Sequence, residues 1–222
     1  MPEVTSQANG PINLLFPLRI LALSAFFLIP TLWSLLLSFD VKRLTSIEEF
    51  KDAWFAKFWA FFGPRSAEVG ASAVLPLLRH NAKGVCLDIG PGSGQWLPCY
   101  SKVDNPEITK IYGVEPNPGM HAALRAKIRE VGLEGTYEII GCGAEELGMK
   151  GGIQRESIDT IITVQCLCSI PTPEKVIREL YPLLKPGGKW LVYEHVRTKY
   201  QNQFVGYWQS KFATFRCQHD DR

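Results

Sequence analysis

A glycine-rich turn that directly follows a short apolar run constrains the fold of this chain more than any other feature. Residues 85–89 have the apolar content of a buried parallel strand, and Gly90, Gly92 and Gly94 follow at once. Residues 95–97 are predicted to begin a helix after the turn. Glycines let the backbone come close to a ligand, and the first turn of a helix offers N–H groups without intrahelical partners. Strand, glycine turn and helix in this order predict the nucleotide cradle of a doubly wound fold.

Further apolar segments alternate with amphipathic stretches after this turn, and we predict strands at residues 111–115, 137–140, 157–164 and 190–194. Glu115 ends the first of these, where an acid can accept hydrogen bonds from the hydroxyls of a ribose. Residues 143–147 form an acidic turn that suits the exocyclic amine of an adenine, and residues 184–189 predict the end of a helix and a turn. The predicted fold class is therefore α/β, a Rossmann-like doubly wound parallel sheet.

Four short motifs carry a family resemblance: Asp88-Ile89-Gly90-Pro91-Gly92-Ser93-Gly94, Val114-Glu115-Pro116-Asn117, Ala144-Glu145 and Leu184-Lys185-Pro186-Gly187-Gly188. In order and spacing they resemble the motifs of class I S-adenosylmethionine-dependent methyltransferases, and the resemblance covers roughly residues 82–195. The G-x-G-x-G spacing differs from the G-x-G-x-x-G of dinucleotide-binding folds. A nicotinamide-dependent oxidoreductase is therefore disfavoured.

The resemblance implies S-adenosyl-L-methionine as the cofactor and gives roles to residues at the ends of the strands. The cofactor-binding residues would be Asp88, Gly90, Gly92 and Gly94 for the methionine moiety, Glu115 for the ribose, and Ala144 with Glu145 for the adenine. Gln165 and Cys166 would line the wall beside the methyl group, although Cys166 also fits a small buried apolar residue. His195 is the candidate catalytic residue, as a base or as a group that orients the acceptor, and a structural cap of the last strand is the alternative.

A narrower similarity involves residues 163–170 and 194–196 behind an apolar amino-terminal segment. Together they are similar to the methyltransferase-like seven group, whose members are membrane proteins of the endoplasmic reticulum or lipid droplets that methylate small alkyl thiols. This similarity implies methyl transfer to a small lipophilic acceptor at a membrane surface. A thiol is the first expectation for the acceptor, and a hydroxyl, an amine or a carbon stays open.

A run of 20 residues without charge, residues 20–39, lies near the amino terminus. As a helix it would span about 30 Å, the thickness of the hydrocarbon core of a bilayer. We predict a membrane anchor at about residues 18–39, within an amino-terminal segment of residues 1–43, with a kink at Pro30. The positive-inside rule then places the following domain in the cytosol, because Lys42 and Arg43 follow the run.

Three other interpretations of this run are a cleaved signal peptide, a buried core helix and a hairpin in one leaflet. A cleaved signal peptide is disfavoured, because the run is longer than the apolar region of such a peptide and no Ala-x-Ala-like site follows it before Asp40. A buried core helix would need a large domain to cover all of its faces. A hairpin that dips into one leaflet and breaks at Pro30 stays open.

Residues 44–82 form a predicted helical bridge. Thr45 or Ser46, followed by two acidic residues, indicates its start. Residues 54–62 place aromatic rings on nearly every face, and Gly63-Pro64 is predicted to end this helix. Packing against a domain or a membrane is the first interpretation of the aromatic stretch, and a lid over an apolar substrate pocket is the second.

The predicted methyltransferase domain, residues 83–222, departs from the family pattern near its end. Family members continue past the fifth strand through another helix and an antiparallel strand pair, whereas here a helix-like segment at residues 204–215 precedes a polar tail. We therefore expect a shortened chain that lacks these last strands and leaves an edge strand without partners. The alternative function is then a non-catalytic, membrane-tethered cofactor-binding or scaffold protein.

Charge and cysteine content limit the other partners. The formal net charge is +2, and no stripe of Lys and Arg interleaved with aromatic residues predicts a nucleic-acid surface. None of the six cysteines has the Cys-x-x-Cys spacing of a zinc site, so we expect free thiols and no metal. The expected partners are a small-molecule acceptor and a membrane.

Overall fold

The computed structural model describes residues 16–148, 152–170 and 172–195. The chain forms two compact units, one of residues 1–26 with 195–222 and one of residues 27–194. In the first unit, the described residues are helix α1 (Phe16–Phe26) and His195. The predicted tail and its helix-like segment lie outside the described residues.

Five strands form the sheet of the second unit: β1 (Gly84–Ile89), β2 (Ile108–Val114), β3 (Tyr137–Ile140), β4 (Ile158–Val164) and β5 (Leu184–Tyr193). Their order is β3-β2-β1-β4-β5, and every neighbouring pair is parallel. The chain turns back between β1 and β4, which is the switch point at which doubly wound folds bind ligands. The predicted Rossmann-like parallel sheet is confirmed.

The helices of the second unit are α2 (Leu28–Leu37), α3 (Val41–Thr45), α4 (Ile47–Leu78), α5 (Pro118–Glu130) and α6 (Pro173–Leu180). Leu124 of α5 packs in one buried apolar cluster with Cys86 of β1, and Val176 of α6 packs in another with Leu87. Because Cys86 and Leu87 point to opposite faces of the strand, apolar clusters lie on both sides of the sheet.

The prediction that Gly63-Pro64 ends the bridge helix is wrong, because α4 continues through both residues. Pro64 cannot donate a backbone hydrogen bond to the preceding turn. The neighbouring Phe61 carbonyl accepts a hydrogen bond of 2.8 Å from the Arg65 guanidinium. Further along α4, Val74 and Leu78 are fully buried against the sheet. This tertiary packing holds the helix together where local preference would end it.

The prediction that a helix begins at residues 95–97 is also inaccurate. The chain forms a short 3₁₀ helix, Leu97–Tyr100, after the glycine turn. Because Pro98 has no N–H, it cannot make the α-helical hydrogen bond to the Gly94 carbonyl. That carbonyl instead accepts from the Leu97 N–H at 3.2 Å, the spacing of a 3₁₀ turn.

The fifth strand begins earlier than the predicted residues 190–194. β5 begins at Leu184, so the predicted turn at residues 184–189 lies within the strand. The turn is accommodated by an irregularity in the pairing of β4 with β5, between the pairs Ile158–Leu184 and Thr160–Lys189. The extra residues are absorbed as a bulge, which a sequence pattern does not reveal.

The apolar amino-terminal stretch is helical on both sides of a break at Phe27. Pro30 lies three residues later and cannot donate to the carbonyl of Phe26 in a helical pattern. By length and composition, Leu18–Leu37 could cross a membrane, and most of it is exposed. Within the second unit, the Phe27 ring packs edge-on against Phe58 of α4, with ring centroids 6.1 Å apart.

Asp88 is a carboxyl group inside the core. Its side chain is 5% exposed, and its Oδ2 accepts a hydrogen bond of 3.0 Å from the Tyr137 hydroxyl. Tyr137 lies against Gly113, where a Cβ would overlap the tyrosine ring. Burial raises the pKa of Asp88 to about 7, although hydrogen bonds from Tyr137 and Tyr100 oppose the rise.

We expect Asp88 to make the free energy of unfolding fall as pH rises from about 4 to about 7. The folded state keeps the proton to a higher pH than the unfolded chain, so the stabilisation is complete below the unfolded pKa and is lost as pH rises through the folded one. The slope for this one proton cannot exceed about 1.4 kcal/mol per pH unit. Asp88→Asn cannot ionise at this position, so it should remove this contribution to the pH dependence. Urea unfolding at about pH 4.5 and about pH 8 measures the free energy of unfolding for both proteins.

The control is Glu107→Gln, which changes an exposed carboxylate and should keep the slope of the wild type. Equal slopes for Asp88→Asn and the wild type would contradict the assignment to Asp88.

Candidate active site

The glycine turn lies at the edge of the sheet where all five parallel strands end. Gly90, Gly92 and Gly94 have φ angles of 66°, 59° and 85°, in the left-handed region that side chains disfavour. A Cβ on Gly90 would lie 2.7 Å from the Cβ of Cys166, and one on Gly92 would lie 2.9 Å from Nε1 of Trp59. At Gly90 and Gly92 the turn therefore needs glycine both for its backbone shape and for the close approach of its neighbours.

Glu115 joins the end of β2 to this turn. The residue is 6% exposed; its Oε2 accepts a hydrogen bond of 2.9 Å from the Gly92 N–H, and its Oε1 accepts one of 3.0 Å from the Asn117 N–H. Burial raises the pKa of Glu115, and these two hydrogen bonds oppose the rise. A carboxylate offers about four acceptor positions, so both oxygens keep lone pairs for the hydroxyls of a ribose.

Helix α4 covers the opening above the glycine turn. Trp59, Gly63 and Ser66 of α4 line a cavity together with the turn and Gln165. A Cβ on Gly63 would lie 2.7 Å from the Gln95 amide nitrogen, so the helix and the turn are close together. The cavity measures about 20 Å³, which is room for about one water. A nucleoside-sized ligand therefore requires these side chains or α4 itself to move.

The chain that follows β4 forms another wall of this cavity. Gln165 has a φ of 55°, its N–H donates to the Tyr193 carbonyl at 2.8 Å, and its Oε1 accepts from the Ser66 hydroxyl at 3.3 Å. Cys166 lies beside Gly90 and is buried, which raises the pKa of its thiol. A buried thiol with a raised pKa fits a small core residue better than a nucleophile.

Sequence reasoning missed two side chains here. Trp59 lies over Gly92, and the crowded aromatic stretch of residues 54–62 was the signal that could have found it. Glu194 follows β5 directly, and its Oε1 accepts hydrogen bonds from the Cys166 N–H at 3.1 Å and the Leu167 N–H at 3.2 Å. An acid at the tip of a strand was the available signal for this second residue.

The remaining predicted residues lie at strand ends or in the core. Ala144 is buried and Glu145 is exposed in the turn after β3, and the carboxylate of Asp88 points into the core. His195 is exposed and belongs to the first unit. Their roles stay predictions. The predicted residues that the structure brings together are Gly90, Gly92, Glu115, Gln165 and Cys166.

Two further features bear on ligands. Within residues 16–148, 152–170 and 172–195, no group of three or more His, Cys, Asp or Glu side chains could hold a metal ion. A larger cavity of about 350 Å³ lies at the start of α2 and the α3–α4 corner, and it is lined mainly by apolar residues with Lys51. No residue of the glycine turn lines it.

Residues 87–192 match the family model described as a methyltransferase domain. The chain is 29% identical over 141 residues to phosphatidylethanolamine N-methyltransferase of Cereibacter sphaeroides, which covers 63% of this chain and 65% of the relative. It is 27% identical over 143 residues to human thiol S-methyltransferase TMT1B, covering 64% of this chain and 54% of the relative. It is 30% identical over 108 residues to a ubiquinone/menaquinone biosynthesis C-methyltransferase, UbiE, of Vibrio vulnificus. This match covers 49% of this chain and 40% of the relative.

The aligned regions thus span about two fifths to two thirds of these relatives.

A solved structure has the same fold, with a TM-score of 0.51 and 20% identity. It is a chain of the complex between the Haloferax volcanii Trm112 methyltransferase activator and a methyltransferase. The match covers 68% of this chain and 62% of that one. The glycine turn, the strand-end acid and the strand order agree with the family match. Residues 87–192 therefore match the methyltransferase domain family, and the sheet has the class I methyltransferase fold.

Proposed function

We propose that the protein transfers a methyl group from S-adenosylmethionine to a small lipophilic acceptor, a thiol first, at a membrane surface. The observation that carries the proposal is the hydrogen bond from the Gly92 N–H to the buried Glu115 carboxylate. It holds the glycine turn and a buried carboxylate side by side at the carboxyl edge of the sheet, which supports a binding site for a nucleoside cofactor there.

Different residues at the strand ends would contact different parts of the cofactor. Gly90, Gly92 and Gly94 would let the backbone approach the methionine moiety, Glu115 would accept from the ribose hydroxyls, and Ala144 with Glu145 would border the adenine. Asp88, inside the core, would act by fixing the end of β1 beneath the turn. Gln165 and Cys166 would border the methyl group.

The bound cofactor supplies a methyl group on a positively charged sulfur, which is already electrophilic. The protein's main contribution is to hold the acceptor in line with that methyl group and to exclude water. Transfer to a thiol would form a bond from the acceptor sulfur to the methyl carbon and break the bond from that carbon to the cofactor sulfur, so the cofactor would keep that electron pair and leave as a neutral thioether. A thiol must also lose its proton, and His195 is our candidate for accepting it or for orienting the acceptor.

Helix α4 is proposed to act as a lid as well as a packing element. The cavity beneath it holds about 20 Å³, so cofactor entry requires Trp59 and Gln95 to move away from the glycine turn. Trp59 then returns over the bound ligand and excludes water from the methyl group. This closed cavity also favours a second candidate function, a non-catalytic, membrane-tethered cofactor-binding or scaffold protein.

The acceptor atom differs among the relatives. The three relatives are named for transfer to nitrogen, sulfur and carbon, so the domain alone is compatible with each acceptor atom. The thiol is favoured by the local similarity of residues 163–170 and 194–196 to the methyltransferase-like seven group. The match to human thiol S-methyltransferase TMT1B supports the same acceptor.

Membrane attachment is proposed through the apolar stretch Leu18–Leu37. Trp33 is 64% exposed and Leu37 is 65% exposed, and large exposed apolar side chains of this kind suit a lipid contact. We propose attachment to the endoplasmic reticulum or to lipid droplets, with the domain facing the cytosol because Lys42 and Arg43 follow the run.

The charge of the strand-end acid Glu115 should contribute to cofactor binding. Glu115→Gln removes the charge that would accept from the ribose hydroxyls, so we expect the dissociation constant of S-adenosylhomocysteine to rise roughly 10-fold to 100-fold, the value of a hydrogen bond to a charged group. Titration calorimetry measures it. Glu138→Gln, at an exposed acid on β3 that pairs with Lys110, is the matched control and should bind as the wild type does. A folded wild type that does not bind would refute the proposed function.

A side chain in the glycine turn should also weaken cofactor binding. Gly92→Ala places a Cβ at a φ of 59° in the space between the turn and α4, where Nε1 of Trp59 lies 2.9 Å away and where the bound ligand would replace it. Because the Cβ would then conflict with the ligand, binding of S-adenosylhomocysteine should weaken by at least tenfold, roughly the cost of one or two kcal/mol. Gly135→Ala imposes similar backbone strain at a φ of 78° with no neighbour within 4 Å, and it should leave binding unchanged. Equal binding by the two variants would contradict the cradle.

A further inference from the structure

The Glu194 carboxylate makes a dense set of contacts with the turn after β4. Its Oε1 accepts hydrogen bonds from the N–H groups of Cys166 and Leu167 at 3.1 and 3.2 Å, and its Oε2 lies 3.2 Å from the same Leu167 N–H. The Cys166 thiol lies 3.4 Å from Oε1. The carboxylate therefore caps the 3₁₀ helix Leu167–Ser169, whose first N–H groups have no partner within that helix.

The turn held in this way contains a backbone conformation that its side chain disfavours. Gln165 has a φ of 55°, in the left-handed region that is uncommon for residues other than glycine. Such a conformation persists only where the surroundings over-determine it, and it is concentrated at functional sites. The surroundings here are Tyr193, the last residue of β5, and Glu194, which follows it. The Tyr193 carbonyl accepts a hydrogen bond from the Gln165 N–H at 2.8 Å, and the Glu194 carboxylate accepts from the next two N–H groups.

The strained conformation directs the Gln165 side chain toward α4. Its Oε1 accepts from the Ser66 hydroxyl at 3.3 Å, and both residues line the cavity above the glycine turn. Gln165 is thus one point at which the carboxyl ends of the strands meet the covering helix. A shift of this turn would displace both the cavity wall and its contact with α4.

We propose that Glu194 is a positioning residue for methyl transfer, acting through Gln165. Its carboxylate fixes the turn after β4 in the conformation that holds the Gln165 amide at the cavity, on the side where the acceptor approaches. Since its oxygens accept from the backbone of Cys166 and Leu167, Glu194 acts through the turn and not by touching the acceptor. This inference rests on the proposed methyl transfer, and its test separates the two.

The structural arm of the test is hydrogen–deuterium exchange of the full chain on phospholipid vesicles. Glu194→Ala removes the acceptor of the Cys166 and Leu167 N–H groups, so exchange within residues 165–169 should become at least roughly tenfold faster. Glu179→Ala, at a partly exposed acid on α6 that pairs with Lys175, is the matched control and should leave those amides unchanged. Unchanged exchange in Glu194→Ala would overturn the proposal, whatever the activity of the protein.

The functional arm measures methyl transfer to hexane-1-thiol and binding of S-adenosylhomocysteine. Glu194→Ala should lower kcat by roughly 10-fold to 100-fold, the effect of a displacement of about 1 Å near the reacting groups, while the dissociation constant of S-adenosylhomocysteine changes less than about threefold. The double variant Glu194→Ala/Gln165→Ala should be no slower than Gln165→Ala alone, because both changes disrupt one unit.

Three results would overturn the positioning role: an unchanged kcat, losses that multiply in the double variant, or a loss of cofactor affinity that matches the loss of kcat. If Glu194→Ala does not fold, Glu194→Asp, whose shorter side chain withdraws the carboxylate from the Cys166 and Leu167 N–H groups, undergoes the same comparisons. A folded wild type that does not bind S-adenosylhomocysteine would refute the proposed function, and the exchange experiment would still decide whether Glu194 holds the turn.

Discussion

The hydrogen bond between the Gly92 N–H and the Glu115 carboxylate links the two features on which the site depends, the glycine turn after β1 and the acid after β2. Both strands must be parallel and adjacent for the two groups to meet, and the register of β1 with β2 brings their ends level at the pair Ile89–Val114. The left-handed glycines then carry the backbone away from the sheet edge. A ligand at this edge would therefore contact backbone and carboxylate together.

Elsewhere in the second unit, glycines also let side chains of other elements pack against the backbone. Gly113 leaves room for the Tyr137 ring, whose hydroxyl reaches the buried Asp88, and Gly63 leaves room for Gln95 beneath α4. These glycines do not all serve the same purpose, because Gly113 lies within a strand and Gly63 within a helix. In each case a missing side chain lets a larger one from another element reach a polar group or the cavity.

Much of the sheet could be predicted from the sequence, because buried parallel strands are short apolar runs and their tips carry the acids and glycines. The start of α4 was also legible, since the Ser46 hydroxyl accepts from the Glu49 N–H at 3.4 Å. The course of α4 through Gly63-Pro64 was not, because burial of Val74 and Leu78 overrides the local preference of these residues. Glu194 and Trp59 escaped prediction because their importance lies in contacts with distant parts of the chain.

A crystal structure of the chain with S-adenosylhomocysteine tests the central claim most directly. Our account predicts the nucleoside at the sheet edge, with the ribose hydroxyls on the Glu115 carboxylate, the methionine moiety along the glycine turn and Trp59 displaced from its contact with Gly92. A ligand bound elsewhere, with the Glu115–Gly92 hydrogen bond and the α4 contacts unchanged, would contradict it.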